Sequence, residues 1–232
     1  MQEGKIAWVT GATGGVGPAV VQALLDAGAV VVAAGLKAEK FEELKAQVGE
    51  PGGRWFAQAV DLADPAAVAA STAEILGQHG RIDILVAVAG GWRGGQPVAE
   101  TDLDTLDWLW RINMVTAFNA CKAVLPAMLA QRWGRIITIS ARSALGGQPR
   151  NAAYAASKAA LLAFTQSLAA ETRQAGITAN TLLLSTVDTP ANLAAMPTAD
   201  RSRWVKPEQI AAAVRFLCSE EAAAISGAAI PL

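Results

Sequence analysis

The chain has 232 residues, 53% of them hydrophobic and 17% charged, and a formal net charge of −1 at neutral pH. That length suits one large domain with ample interior to bury. The near-zero charge excludes the basic footprint that nucleic acid or an anionic membrane needs, and two cysteines with one histidine give no metal-ligand pattern.

Residues 5–9, Lys-Ile-Ala-Trp-Val, read as a short apolar strand. A glycine-rich turn follows at once, Thr10-Gly11-Ala12-Thr13-Gly14-Gly15-Val16-Gly17. A helix is expected over 17–27, with Pro18 in its first turn, where a missing N–H costs nothing. Gly28 closes it, and 29–34 reads as a second strand. Glycines in such a turn let backbone approach a pyrophosphate, which then sits at the positive helix N-terminus. Gly11, Thr13, Gly14, Gly15, Val16 and Gly17 are therefore candidate cofactor contacts; the bland alternative is an ordinary tight turn. The stretch 18–36 is mostly apolar, but Gln22, Asp26 and Gly28 interrupt it, so helix plus strand explains it better than a membrane span. A strand starting this early leaves no room for a signal peptide.

The second strand ends Ala33-Ala34-Gly35-Leu36-Lys37. An acidic residue there would bind the ribose 2′-OH and select NAD. None is present, and Lys37 or Lys40 could attract a 2′-phosphate. The reading leans to NADP(H), with NAD(H) the alternative.

Further strands are expected at 54–60, 82–88, 134–140, 177–184 and 228–231, and helices at 38–48, 65–78, 104–131, 151–175 and 207–219. Alternation of this kind implies an α/β fold, a doubly wound parallel sheet of about seven strands with right-handed crossovers. The high apolar content suits a sheet covered on both faces by helices. Cys121 and Cys218 fall in expected helices, far apart; buried thiols in a reducing, cytoplasmic setting are expected. His79 precedes a strand, and no metal site is expected on it.

Tyr154 is the single tyrosine, in the helix-forming run Asn151-Ala-Ala-Tyr154-Ala-Ala-Ser-Lys158. Residues four apart share a helix face. A phenol titrates near 10 in water, and a neighbouring ammonium favours the phenolate. Tyr154 is thus a candidate general acid or base. Taken alone, the pair also fits a surface tyrosine beside a solvated lysine.

The G-x-x-x-G-x-G spacing combined with Tyr-x-x-x-Lys resembles the short-chain dehydrogenase/reductase family across essentially the whole chain. The resemblance implies a single Rossmann-fold domain over 1–232 and a reaction that moves hydride between a nicotinamide and a small-molecule substrate. It implies that Tyr154 exchanges the proton, that Lys158 lowers the Tyr154 pKa and holds the ribose, and that Asn113 holds a water in the proton path. Asp61 and Leu62 would contact adenine; Ala89, Gly90, Val187 and Thr189 would line the rest of the cofactor. A small segment near 186–206 would cover substrate, and the helices at 104–131 and 151–175 would form a homodimer or homotetramer.

Departures matter as much. The family's serine, thirteen residues before the tyrosine, is here Ala141. Ser140 is adjacent, but strand neighbours point to opposite faces; Ser143 could substitute if the loop curls back. Val88 stands where the family has asparagine, and Leu184-Ser185 replaces Pro-Gly. Ala89-Gly-Gly-Trp92-Arg-Gly-Gly95 resembles the dihydropteridine reductase branch, as do the alanine at 141, Asp188-Thr-Pro-x-Asn192, and Met196-Pro-x-Ala-Asp-x-Ser-x-Trp204. This branch implies a substrate pocket of Trp92, Ser143, Asn192, Met196 and Trp204 for a flat, electron-poor ring. A ketone oxygen would miss the serine donor; a quinonoid ring would tolerate its loss. Two alternatives stay open: a general carbonyl or 3-oxoacyl reductase, and a catalytically weak cofactor sensor, favoured by Ala141 and Val88 and opposed by Tyr154, Lys158 and Asn113.

Overall fold

A computed structural model describes residues 2–49 and 52–232. Seven strands, β1 (Ile6–Thr10), β2 (Val30–Gly35), β3 (Trp55–Ala59), β4 (Ile84–Ala87), β5 (Gly134–Ala141), β6 (Ile177–Leu184) and β7 (Ala229–Pro231), form one sheet. Its order is β3-β2-β1-β4-β5-β6-β7, and every pairing is parallel. The order reverses between β1 and β4, so a crevice opens beyond their carboxyl ends, where such sheets hold ligands.

Among the described residues there are eight α-helices: α1 (Gly17–Asp26), α2 (Lys40–Val48), α3 (Pro65–His79), α4 (Leu103–Trp110), α5 (Thr116–Gln131), α6 (Ala152–Thr172), α7 (Pro190–Ala195) and α8 (Pro207–Leu217). Strand alternation divides the interior in two. Ala7, Val9, Val31, Val86, Ile137 and Leu182 meet α1, α2 and α8 on one face. Trp8, Val32, Leu85 and Ile136 meet α3, α5 and α6 on the other. The expected burial on both faces holds for the central strands and fails at β3, an edge strand that pairs with β2 and leaves Phe56, Ala57 and Ala59 exposed.

The expected single helix at 104–131 is interrupted. Arg111–Val115 forms a π-turn between α4 and α5. Its cause is local: the Thr116 N–H reaches back to the Arg111 carbonyl, while the Thr116 hydroxyl takes the Ile112 carbonyl at 2.8 Å. Such bulges frequently mark functional sites, and Asn113 is buried within this one. The α4–α5 segment is long and apolar enough to cross a membrane by length and composition, yet α5 buries Ala117, Ala120, Cys121, Val124 and Met128 in the manner of a core helix. Cys121 and Cys218 are unpaired and buried, and burial pushes both thiols up to about 12. The periodicity does not reveal α7; it is six residues long, started by the Thr189 side chain as N-cap and by Pro190.

Candidate active site

The glycine turn is fixed by backbone contact. Gly11 leaves β1 at φ +65°, and a Cβ there would lie 2.6 Å from the Ala89 nitrogen. Both conditions require glycine. The Gly14 N–H donates to the Gly11 carbonyl at 3.0 Å, and the Gly17 N–H to that of Gly14 at 3.1 Å. A Cβ on Gly15 would meet Thr189 Cγ2 at 2.7 Å, so the 187–189 loop lies directly against the turn. Val16 provides no side-chain cap to α1, which leaves the first N–H groups of the helix for an anionic group. This cradle, open only because Cβ atoms are missing, fits a pyrophosphate.

Around it lie the other expected cofactor residues. Thr13 packs on the end of β2: a Cβ on Gly35 would sit 2.9 Å from Thr13 Oγ1. Lys37 is exposed and has no ion partner among the described residues, whereas Lys40 is paired with Glu43 at 2.6 Å. Asp61 accepts the Ala63 N–H at 2.8 Å through one carboxylate oxygen and keeps the other free. Leu62 is buried, its carbonyl held by Asn119 Nδ2 at 3.0 Å. Val187 forms an isolated parallel bridge with Val205, which pins the start of the 186–206 segment.

Helix α6 carries Tyr154 and Lys158 one turn apart, with Lys158 Nζ 5.9 Å from the Tyr154 ring centre. Lys158 is buried, and its ammonium donates to the Ile139 carbonyl of β5 at 2.9 Å. Burial holds it down at about 8. The expectation that Lys158 draws the Tyr154 pKa down is corrected: burial pushes Tyr154 up to about 12. The reason is that burial takes the phenolate out of water. Among the described residues no group hydrogen-bonds the Tyr154 hydroxyl.

Asn113 is fully buried and joins three elements. Its Nδ2 donates to the Gly91 carbonyl at 3.0 Å and to Ser157 Oγ at 3.1 Å, and its Oδ1 accepts the Gly91 N–H at 3.0 Å. Ser157 in turn donates to the Tyr154 carbonyl at 2.8 Å. This amide thus clamps the post-β4 loop to α6. A Cβ on Gly90 would lie 2.9 Å from Asn113 Oδ1 and 3.2 Å from Lys158 Nζ. Ser157 and Gly91 escape the sequence reading, because a helical serine bonding back three residues is ordinary.

The rim is looser. Trp92 is 60% exposed, and its indole N–H donates to Asn151 Oδ1 at 3.2 Å. The Gly95 N–H donates to the Arg150 carbonyl at 2.9 Å, and Arg150 Nη1 returns to the Gly95 carbonyl at 3.2 Å. Arg93 stacks on Trp108 at 4.0 Å. A small cavity beside Tyr154 is lined by Arg93, Arg150 and Asn151, none of them anticipated. Asn192 spends its amide on the Val187 carbonyl at 2.8 Å and so holds the loop. Met196 is exposed and Trp204 half-buried; among the described residues no hydrogen bond or ring contact links either to Tyr154 or Trp92. Ser140 is committed to the Lys158 carbonyl at 2.8 Å, and Ser143 is buried with an unpartnered hydroxyl.

A pyrophosphate cradle at the sheet's reversal point, beside a tyrosine–lysine helix, defines a nucleotide-dependent oxidoreductase. Residues 5–199 match the short chain dehydrogenase family, and the chain belongs to it. D-threitol dehydrogenase from Mycolicibacterium smegmatis is 36% identical over 97% of this chain and 90% of that protein. The 3-oxoacyl-acyl-carrier-protein reductase FabG of Escherichia coli is 34% identical over 97% of this chain and 94% of that protein. A Serratia marcescens short-chain dehydrogenase/reductase structure, 30% identical, superposes with a TM-score of 0.89 over 99% of this chain and 96% of that one. NAD+-bound xylitol dehydrogenase, 24% identical, shares the fold at a TM-score of 0.90, covering 99% and 98% of the two chains. The chain is thus an NAD(P)-dependent oxidoreductase; these relatives do not point specifically to the dihydropteridine branch.

Proposed function

We propose that this enzyme moves hydride between a nicotinamide cofactor and the carbonyl or alcohol carbon of a small substrate, with Tyr154 exchanging the proton on the oxygen. The observation that carries this reading is the unpartnered Tyr154 hydroxyl, one helical turn from a buried Lys158 and beside the glycine cradle. The bound nicotinamide supplies or accepts the hydride. Lys158 has three N–H donors, of which Ile139 uses one; the remainder would hold ribose hydroxyls. Asn113 and Ser157 fix the height of α6 against the Gly90–Gly91 loop. Gly11, Thr13, Gly14, Gly15, Val16 and Gly17 would bind the pyrophosphate, Asp61 and Leu62 the adenine, and Ala89, Val187 and Thr189 the nicotinamide half.

NADP(H) is the favoured cofactor, because Gly35 offers no carboxylate and Lys37 stands unpaired at the end of β2. Lys37→Glu should then lower the NADPH-to-NADH preference at least tenfold. A wild-type preference for NADH of tenfold or more would make Lys37 a solvated surface charge.

Relatives named for a sugar alcohol and an oxoacyl thioester favour carbonyl and alcohol substrates. Trp92 favours a second reading, a quinonoid dihydropteridine: its exposed ring is anchored to Asn151, three residues from Tyr154, where a flat heterocycle could stack. Steady-state rates from NAD(P)H absorbance on polyols, 3-oxoacyl thioesters, simple ketones and quinonoid dihydropterin decide between them. Fast ketone or polyol turnover with an inert pterin removes the second reading; silence on all four would point to a cofactor sensor. A homo-oligomer in the cytoplasm completes the proposal. Leu103, Leu106, Trp110, Phe118 and Leu129 leave apolar surface along α4 and α5 for a second copy to cover, which sedimentation would test.

A further inference from the structure

We infer that Arg93 and Arg150 select a substrate that carries an oxyanion, a carboxylate or a phosphate, close to its reacting carbon. This rests on the carbonyl/alcohol reading above and deepens it. The small cavity beside Tyr154 is walled by the loop after β4, the entry to α4 and the start of α6. The first and last of these follow the carboxyl ends of β4 and β5, where open α/β sheets bind ligands. Arg93 and Arg150 are the charged residues in the described lining; Gln96, Thr105 and Asn151 add neutral polar groups, and Tyr154 forms part of the same wall. A recess lined by one sign of charge draws in and orients a ligand of the other sign.

Both guanidiniums are held in place without being neutralised. Arg93 stacks on Trp108 at 4.0 Å. The Trp108 ring is itself seated on the backbone of Gly91, where a Cβ would lie 2.6 Å from Trp108 Cη2. Stacking uses the face of a guanidinium and leaves its in-plane donors open. Arg150 donates one N–H to the Gly95 carbonyl at 3.2 Å, and its own carbonyl accepts the Gly95 N–H at 2.9 Å. A guanidinium carries five N–H donors, so most of those on Arg150 remain. Among the described residues neither arginine has a carboxylate within 4.0 Å, whereas Lys40, Arg81 and Arg201 each pair with one at 2.6 Å. Asp102 feels the Arg93 charge, but its carboxylate is held down first by the Thr105 N–H, which it accepts at 2.6 Å as the cap of α4. Glu100, Asp102 and Asp104 stay outside the cavity lining.

The backbone adds a second argument. Arg150 stands at φ +61°, and with Arg132 it is one of two non-glycine residues in the left-handed region among those described. A side chain costs energy there that glycine would not. The fold keeps an arginine where glycine is the easier residue, and the place of that side chain in the cavity wall accounts for it. The planar fork matches two oxygens of a carboxylate or phosphate. Anchoring such a group beside Tyr154 would decide which carbon of the substrate faces the tyrosine.

The test assays methyl ketones of one chain length that end in a hydroxyl, a carboxylate or a phosphate, and the matching alcohols in the oxidative direction. Wild type should show a kcat/KM at least tenfold higher for an anionic member than for the neutral one, a ratio that shrinks as salt is added; which anion gains more names the group. Arg93→Gln and Arg150→Gln should each lower the anionic-to-neutral ratio about tenfold, mainly through KM, the scale of one charge-assisted hydrogen bond. A partly unfolded preparation would lower both rates and leave the ratio unchanged. Arg150→Lys should keep part of the ratio. Arg150→Gly should lose it while the melting temperature holds or rises, since glycine suits φ +61°. A wild type that favours the neutral ketone, or glutamine variants with the wild-type ratio, would overturn the inference and leave the carbonyl reading intact. A lower melting temperature in Arg150→Gly with the ratio preserved would make Arg150 a loop tie and overturn it as well. A wild type inert on every ketone and alcohol would remove the functional reading and this inference together.

Discussion

The cofactor cradle and the substrate rim meet at the same crevice but are held by different forces. The cradle is backbone against backbone: Gly11 against Ala89 and Gly17 against Ala12, with a missing Cβ at each contact. The rim is side chain to loop: Trp92 to Asn151, Arg150 to Gly95, Arg93 over Trp108. Steric exclusion tolerates almost no change, because a hard contact cannot be relaxed by rotating a bond. Single hydrogen bonds on exposed loops add little and can be exchanged. One scaffold can therefore keep its cofactor while its substrates vary.

That contrast predicts a graded series. Gly11→Val should act most strongly: it forces a branched residue to φ +65° and drives Cβ into Ala89. Cofactor affinity by fluorescence titration should fall beyond measurement; a binding-competent Gly11→Val protein would break the steric account of the cradle. Tyr154→Phe should follow, with turnover reduced about 10²–10⁴-fold through loss of the acid and cofactor affinity retained. Near-normal turnover would remove Tyr154 as the proton donor.

Third is a pH effect on the apo protein. Burial depresses Lys158 from 10.5 to about 8 and raises Tyr154 from 10.0 to about 12. Between pH 8 and 10 the unfolded chain holds the lysine proton and the folded chain releases it, so the Lys158 contribution to the unfolding free energy rises with pH, by about 2 kcal/mol. The two buried thiols, raised from 9.0 to about 12, oppose it above pH 9, and the tyrosine joins them above pH 10, since the folded state keeps protons that the unfolded state loses. Denaturant titrations of wild type beside Lys158→Met should show the lysine contribution as a difference that grows over this range; a constant difference would place the titration elsewhere. Smallest is Trp92→Ala. At 60% exposure its removal should shift stability within about 0.5 kcal/mol, while KM for a flat substrate rises several-fold. An unaltered KM across the whole substrate panel would show the indole to be loop packing.

The same contrast explains what the sequence discloses. The seven strands and the glycine turn were readable because period, spacing and a required glycine leave a mark on residue type. Tyr154, Lys158 and Asn113 were readable as a set, and α6 with the π-turn does bring them to one place. The destinations of single hydrogen bonds were not readable. Nothing in Arg-Ile-Asn-Met-Val announces a π-turn, since neither glycine nor proline is involved. The commitment of Ser140 and the freedom of Ser143 depend on where β5 stops. The upward shift of Tyr154 depends on how deeply the fold buries the phenol. The runs resembling dihydropteridine reductases lie in rim loops, while the identity to threitol dehydrogenase and FabG spreads over the whole chain, and a few loop residues weigh little against that.

The π-turn at Arg111–Val115 sets a phase. An α-helix advances about 100° per residue, so a widened turn offsets everything before it from everything after it. Deleting one residue there would let α4 and α5 fuse into a regular helix, anchored to the sheet through α5. Helix α4 would then rotate by roughly that same angle, carrying Trp108 away from Arg93 and the Asp102 cap away from its present bearing. Leu109 would leave its buried seat and Asn113 its hold on Gly91 and Ser157, while the strands keep their register. One residue inserted or deleted at this turn thus re-aims the substrate rim and loosens the clamp on α6 together, while every β-strand stays in place.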